Sequence, residues 1–205
     1  MIKNIVFDMG KVLLNYDADR CCEQFLETPA DREMMANYLF SSGEWIMLDM
    51  GVISEELGME RIKKRLPARL HEAADQCMKH WHEYCMWPVE GMKELVAELK
   101  QQGYGIYLCS NASLRMVTHR ELIPGIEYFD GVLFSAEVLC MKPQKEMYEH
   151  LFSRFGLNPA ECFFIDDLGI NIEGARACGM DGHCFDSSDV AGLRDILAGL
   201  RQEMV

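Results

Sequence analysis

Basic residues are in short supply. Only 20 Lys and Arg stand against 33 Asp and Glu among 205 residues, a formal net charge of −13. A nucleic-acid groove needs a basic surface to meet phosphates, so this balance argues against a nucleic-acid partner. An anionic substrate would have to be drawn in by local charge, from a metal or a few lysines. Long apolar runs are also missing: none reaches the roughly 18 residues that suggest a membrane span. The first residues lead into a strand-like run and carry no secretory pattern. These absences predict a cytoplasmic protein with no membrane partner. C-x-x-C pairs are absent as well, although nine cysteines are present. Their number is odd and several sit in apolar runs. They therefore read as small buried hydrophobes in a reducing compartment, not as a zinc or redox site. No internal repeat or low-complexity tract interrupts the chain.

What is present is an alternation. Residues 3–8, 104–110, 132–135, 162–166 and 182–185 read as short apolar strands. Residues 92–102, 143–155, 170–178 and 190–204 read as amphipathic helices, the first three closed by Gly103, Gly156 and Gly179. Strands alternating with helices of this length predict an α/β fold, a doubly wound parallel sheet. Residues 16–86 break the pattern. They hold no convincing strand and read as helices over 18–26, 31–40, 54–66 and 70–84, with Ser54 as an N-cap. The expected organisation is a core of residues 1–15 and 87–205, with a small helical cap of residues 16–86 inserted after the first strand. Nothing in the pattern specifies an oligomeric state.

Ligands bind such sheets at the carboxyl ends of the strands. The residues expected there are Asp8, Ser110 with Asn111, and Asp166 with Asp167. Lys142 lies just before a helix and Asn171 four residues beyond Asp167. Three carboxylates, a lysine and a hydroxyl suit Mg²⁺ and a phosphate: the hard cation takes carboxylate oxygens, and lysine is a point charge for phosphate. Asp8 could attack phosphorus to give an aspartyl-phosphate.

Four stretches, "VFDMGKVL", "LCSNAS", "MKPQKEMY" and "FFIDDLGINIEGARACGM", occur in the order found in the haloacid dehalogenase superfamily. The chain resembles that superfamily over nearly its whole length. Within it, the chain is most similar to the group with a small helical cap, which includes glucose-1-phosphatase-like enzymes and the phosphatase domain of soluble epoxide hydrolase. The resemblance implies a Mg²⁺-dependent phosphohydrolase acting on a small phosphorylated metabolite, such as a sugar phosphate. It makes Asp8 the nucleophile and a metal ligand, and places Ser110 and Asn111 at the phosphate. Lys142 would steady nucleophile and phosphate, and Asp167 would bind the metal with the Gly10 carbonyl. Asp166 and Asn171 would stand behind them, Asn171 holding a metal water or orienting Asp167.

One departure matters. Relatives usually carry a second aspartate two residues after the nucleophile, where this chain has Gly10, and then glycine where it has Lys11. The missing acid normally protonates the leaving oxygen, a function worth roughly 10²- to 10⁴-fold in rate. Some relatives of the glucose-1-phosphatase group also have glycine there. Lys11, a cap residue such as Asp17, or water could take over the proton. Arg20, Tyr16 and Trp45 are the cap residues expected to reach a leaving group, and Lys11 is a further candidate for facing the substrate. His80 and His82 stand two apart on a helix and so share no face for a metal. Two rival functions remain open at this point: a metal-independent 2-haloacid dehalogenase, which has no use for paired acids after the last motif strand, and a catalytically weak metabolite-binding member.

Overall fold

The computed structural model describes residues 1–202. In chain order the strands are β1 (Asn4–Phe7), β2 (Leu14–Tyr16), β3 (Met86–Pro88), β4 (Gly105–Ser110), β5 (Gly131–Phe134), β6 (Cys162–Asp166) and β7 (Asp181–Cys184). The α-helices are α1 (Ala18–Phe25), α2 (Pro29–Met35), α3 (Gly43–Asp49), α4 (Glu55–Lys63), α5 (His71–Tyr84), α6 (Met92–Gln101), α7 (Leu114–Thr118), α8 (Ser135–Val138), α9 (Lys145–Phe155), α10 (Gly169–Ala177) and α11 (Val190–Gln202). Residues 203 and 204, which the sequence pattern adds to α11, lie outside the described residues.

Five strands form one parallel sheet in the order β5-β4-β1-β6-β7. β1 is central, and Ile5, Val6 and Phe7 are wholly buried. A strand covered on both faces needs such a continuous apolar run. Ile5 and Phe7 join the cluster with α6 and α11, while Val6 points to the opposite cluster with α9 and α10. Burying each of these side chains stabilises the fold by roughly 1.5–3 kcal/mol. The first cluster runs on without a break into α1, α4 and α5, through Cys21, Cys22, Ile62 and Cys77. Seven of the nine cysteines are buried and all are free thiols.

Helices occupy the stretch between β2 and β3, and these two strands pair antiparallel beside it. The expectation of no strand near residues 16–86 misses this ribbon, because three-residue strands carry too little periodicity to register. It also misses α3, whose apolar residues Ile46 and Met47 face solvent and blur the helical pattern. The helix expected over 31–40 is α2 followed by a π-helical turn over Ala36–Phe40. The helix expected from residue 143 begins at Lys145, leaving Lys142 and Pro143 in the preceding loop.

That loop is pressed against α10. A Cβ on Gly174 would stand 2.9 Å from both the Pro143 Cβ and the Pro143 carbonyl oxygen. Glycine is required here for close approach, and the contact fixes where Lys142 begins. Gly174→Ala is expected to lower stability by about 1–3 kcal/mol, as overpacking does, measured by urea unfolding.

Candidate active site

The strand register brings the carboxyl ends of β4, β1 and β6 level, with Phe7 opposite both Leu108 and Ile165. Asp8 follows directly, its N–H donating to the Ile165 carbonyl at 2.8 Å. The chain then turns tightly, the Met9 carbonyl accepting from the N–H groups of Leu13 and Leu14. Lys11 holds the left-handed conformation, with φ 54°. That region costs an L-residue roughly 1–2 kcal/mol. Gly10 is not left-handed and has open space where a Cβ would stand.

Lys142 is the hub. Its ammonium lies 2.8 Å from Asp8 Oδ1 and 2.6 Å from Asp166 Oδ2, and its side chain is wholly buried. The Asn111 side chain clasps the Lys142 backbone, accepting from its N–H at 2.9 Å and donating to its carbonyl at 3.0 Å. Asp166 is also wholly buried. It accepts from the Leu168 N–H at 2.9 Å and from the Asn171 amide at 2.9 and 3.1 Å. Asn171 therefore orients Asp166, not Asp167 as expected. Both Asp166 oxygens are thus engaged by Lys142, Leu168 and Asn171.

The site holds more negative charge than its lysine neutralises. One carboxylate oxygen from each of Asp8, Asp166 and Asp167 lies within 4.8 Å of the others. Burial pushes the Asp8 carboxyl up, with Lys142 pulling it down and Asp166 adding to the rise. Burial pushes Asp167 up to about 6, helped by the charges of Asp8 and Asp166 and opposed by Lys11 and Lys142. On Lys142 burial acts downward, but Asp8 and Asp166 outweigh it and the ammonium is held above its ordinary value. A hard divalent cation beside Asp8 and Asp167 is what this donor set lacks, so the residues present fit Mg²⁺.

Above the carboxylates lies a cavity of about 310 Å³. Asp8, Gly10, Lys11, Ser110, Asn111, Lys142, Asp167 and Asn171 line its floor, and Trp45 lines its roof. Asp166 is too deep to reach it. Arg20 is not among the lining residues; its guanidinium stacks 4.1 Å over Trp87. Asp17 caps α1, accepting from the Asp19 N–H at 2.9 Å, and does not line the cavity either. Tyr16 does, together with Leu14, Trp81, Met86, Leu168 and Asp49, five residues that the motifs do not single out. Trp81 meets Trp45 edge to face at 5.2 Å. Asp49 follows Trp45 by four residues, one helical turn, and that spacing was the available signal for it.

The family model described as haloacid dehalogenase-like hydrolase matches residues 2–179. The chain belongs to this hydrolase family. Among relatives of this haloacid dehalogenase-like hydrolase, a sesquiterpene phosphatase of Aspergillus oryzae is 28% identical over 187 residues, covering 90% of this chain and 91% of its own. A D-ribitol-5-phosphate phosphatase of Bacteroides thetaiotaomicron is 23% identical over 195 residues, covering 88% and 90%. A solved haloacid dehalogenase family enzyme of Bacteroides thetaiotaomicron, in complex with magnesium and inorganic phosphate, superposes with a TM-score of 0.72 at 23% identity, covering 94% of this chain and 99% of that one. It shares the fold.

Two outcomes follow from the charge balance. Lys142→Met leaves two buried carboxylates without their cation, and should cost roughly 3–5 kcal/mol in metal-free protein by urea unfolding. For Asp167 the folded value, about 6, lies above the ordinary 3.8. Its protonated form therefore favours the metal-free fold, and that contribution is lost as pH rises through 6. Metal needs the ionised form. Mg²⁺ should thus raise the Tm more at pH 7.5 than at pH 5, measured by thermal unfolding with and without the ion.

Proposed function

We propose that this hydrolase is a Mg²⁺-dependent phosphatase for small phosphate monoesters whose alcohol side is apolar or aromatic, working through an aspartyl-phosphate on Asp8. In this reading residues 1–15 and 87–205 are the catalytic core and residues 16–86 the cap. The observation that carries it is the buried Asp8 beside Lys142, with Asp167 as a further carboxylate at the same cavity. Asp8 and Asp167, with the Gly10 carbonyl, would hold the ion, which when bound offsets the charge of the substrate phosphate. Lys142 keeps Asp8 ionised and oriented for attack. Ser110, at the end of β4 and 2% exposed, acts on the same carboxylate. A dehalogenase would have no use for the third carboxylate, and a binding module none for a nucleophile so placed.

The walls favour an apolar alcohol over the sugar suggested by the family resemblance. Leu14, Trp45, Trp81, Met86 and Leu168 outnumber the polar wall residues Asn15, Tyr16 and Asp49, and a polyol buried there would leave several hydrogen bonds unmade. The sesquiterpene phosphatase relative supports the same reading; the ribitol-phosphate relative points the other way. The deciding measurement is turnover of aryl, prenyl and sugar phosphates with and without Mg²⁺. Expected are loss of turnover with chelator or with Asp8→Asn, and higher kcat/KM for aryl or prenyl than for sugar phosphates. Trp45→Ala should raise KM for the apolar substrates roughly ten-fold, the scale of removing one large buried contact. Metal-independent turnover of a 2-haloacid would instead make the chain a dehalogenase.

A further inference from the structure

The phosphatase reading leaves a gap: Gly10 has no side chain to protonate the leaving oxygen. The cavity contains one further acid, and it comes from the opposite wall. Asp49 ends α3 and lines the same cavity as Asp8, Gly10 and Ala112. Its place relative to the core is fixed by three contacts. Its main-chain carbonyl accepts from the Ser135 hydroxyl of α8. That same hydroxyl oxygen accepts from the Ala112 N–H at 2.9 Å, two residues beyond Ser110. Gly51, left-handed at φ 77°, seats against Ala136 so closely that a Cβ would come within 2.5 Å of its carbonyl oxygen. The end of α3 is thereby held over the turn that follows β4.

The surroundings of Asp49 keep it an acid. No lysine or arginine forms an ion pair with it among the described residues. Burial raises its carboxyl to about 7, and among the described residues the one hydrogen bond acting on it, from the Ser113 backbone, lowers its affinity for a proton. Burial, then the Cys85 thiol and the Asp49 carboxyl, push the Tyr16 phenol of β2 up and hold it neutral. Lys11 and Lys142, Asp8 and Asp167 line the cavity floor, while burial and the Ser113 backbone set the proton affinity of Asp49. A protonated carboxyl near neutrality is what a general acid requires.

We propose that Asp49 replaces the missing aspartate as the general acid and base of this hydrolase. The inference rests on the phosphatase reading. In the first step an Asp8 oxygen bonds to phosphorus, the bond from phosphorus to the leaving oxygen breaks, and that oxygen keeps the electron pair and takes the Asp49 proton. In the second step the Asp49 carboxylate takes a proton from water. The water oxygen bonds to phosphorus, and the bond to Asp8 breaks, releasing inorganic phosphate with both side chains restored.

The experiment compares first-turnover release of an alkyl alcohol and of p-nitrophenolate, which leaves without a proton, in wild type and Asp49→Asn with Mg²⁺. Asp49→Asn should slow alcohol release roughly 10²- to 10⁴-fold and change the p-nitrophenolate burst little. It should also abolish the fall in alkyl turnover as pH rises through about 7. Gly10→Asp added to Asp49→Asn should recover alcohol release, since the loop has room for the side chain. Equal losses on both substrates, or an unchanged pH limb in Asp49→Asn, would overturn the role of Asp49 while leaving the phosphatase reading intact. A wild-type chain with no Asp8-dependent release of either product would overturn both.

Discussion

The arrangement of the site depends on one buried cation. The Lys142 ammonium sits between Asp8 and Asp166 with no access to water, where an unpaired charge would be prohibitively costly. Two carboxylates on adjacent strands must therefore stay close to it. That requirement fixes the spacing of β1 and β6 at their carboxyl ends. It also explains the supports around the lysine: the Asn111 clasp on its backbone, the Asn171 amide on Asp166, and Gly174 drawn tight against Pro143. Each of these holds a partner of the lysine, or the lysine itself, in register.

The same constraint separates roles among similar side chains. Asp166 and Asp167 are neighbours in sequence, yet Asp166 turns inward to hold Lys142 and Asp167 turns to the cavity. Successive residues leaving a strand point to opposite sides, so one acid becomes scaffold and the other remains free for a ligand. The tight turn after Asp8 works in a comparable way. It keeps the Gly10 backbone at the site at the cost of a left-handed Lys11.

The core was legible in the sequence because its signals are long and redundant. Ile5–Phe7, the run before Ser110, and "CFFID" each combine apolar continuity with a polar residue where the strand stops. Apart from α3, the helices between residues 18 and 84 were legible as helices, but their inward faces were not. Trp45 was visible as a candidate, whereas Trp81 was hidden in an ordinary amphipathic helix. Asp49 looked like one of many acids in an acidic chain. What distinguishes it is a half-buried seat beside Ser113 and Ser135, a tertiary fact with no local periodicity. Arg20 misled for the opposite reason: it lies at the entry to the helical segment, but a neighbouring indole, Trp87, takes its guanidinium.

The seam between α3 and the core also bears on traffic through the site. Ser135 grips the Asp49 carbonyl, Gly51 abuts Ala136, and nearby Arg115 reaches from α7 to Glu55 of α4 and to the Lys79 carbonyl. On the other side the helices are joined to the core covalently, through the β2–β3 ribbon. A helical layer fastened along two edges resists swinging open like a hinged lid. Molecules that fit the existing opening exchange without disturbing it, whereas bulkier ones must first break the seam. The threshold for admission is then a property of the Ser135 and Arg115 contacts, remote from the reacting phosphorus, and changes in those contacts would retune which molecules enter without touching the chemistry.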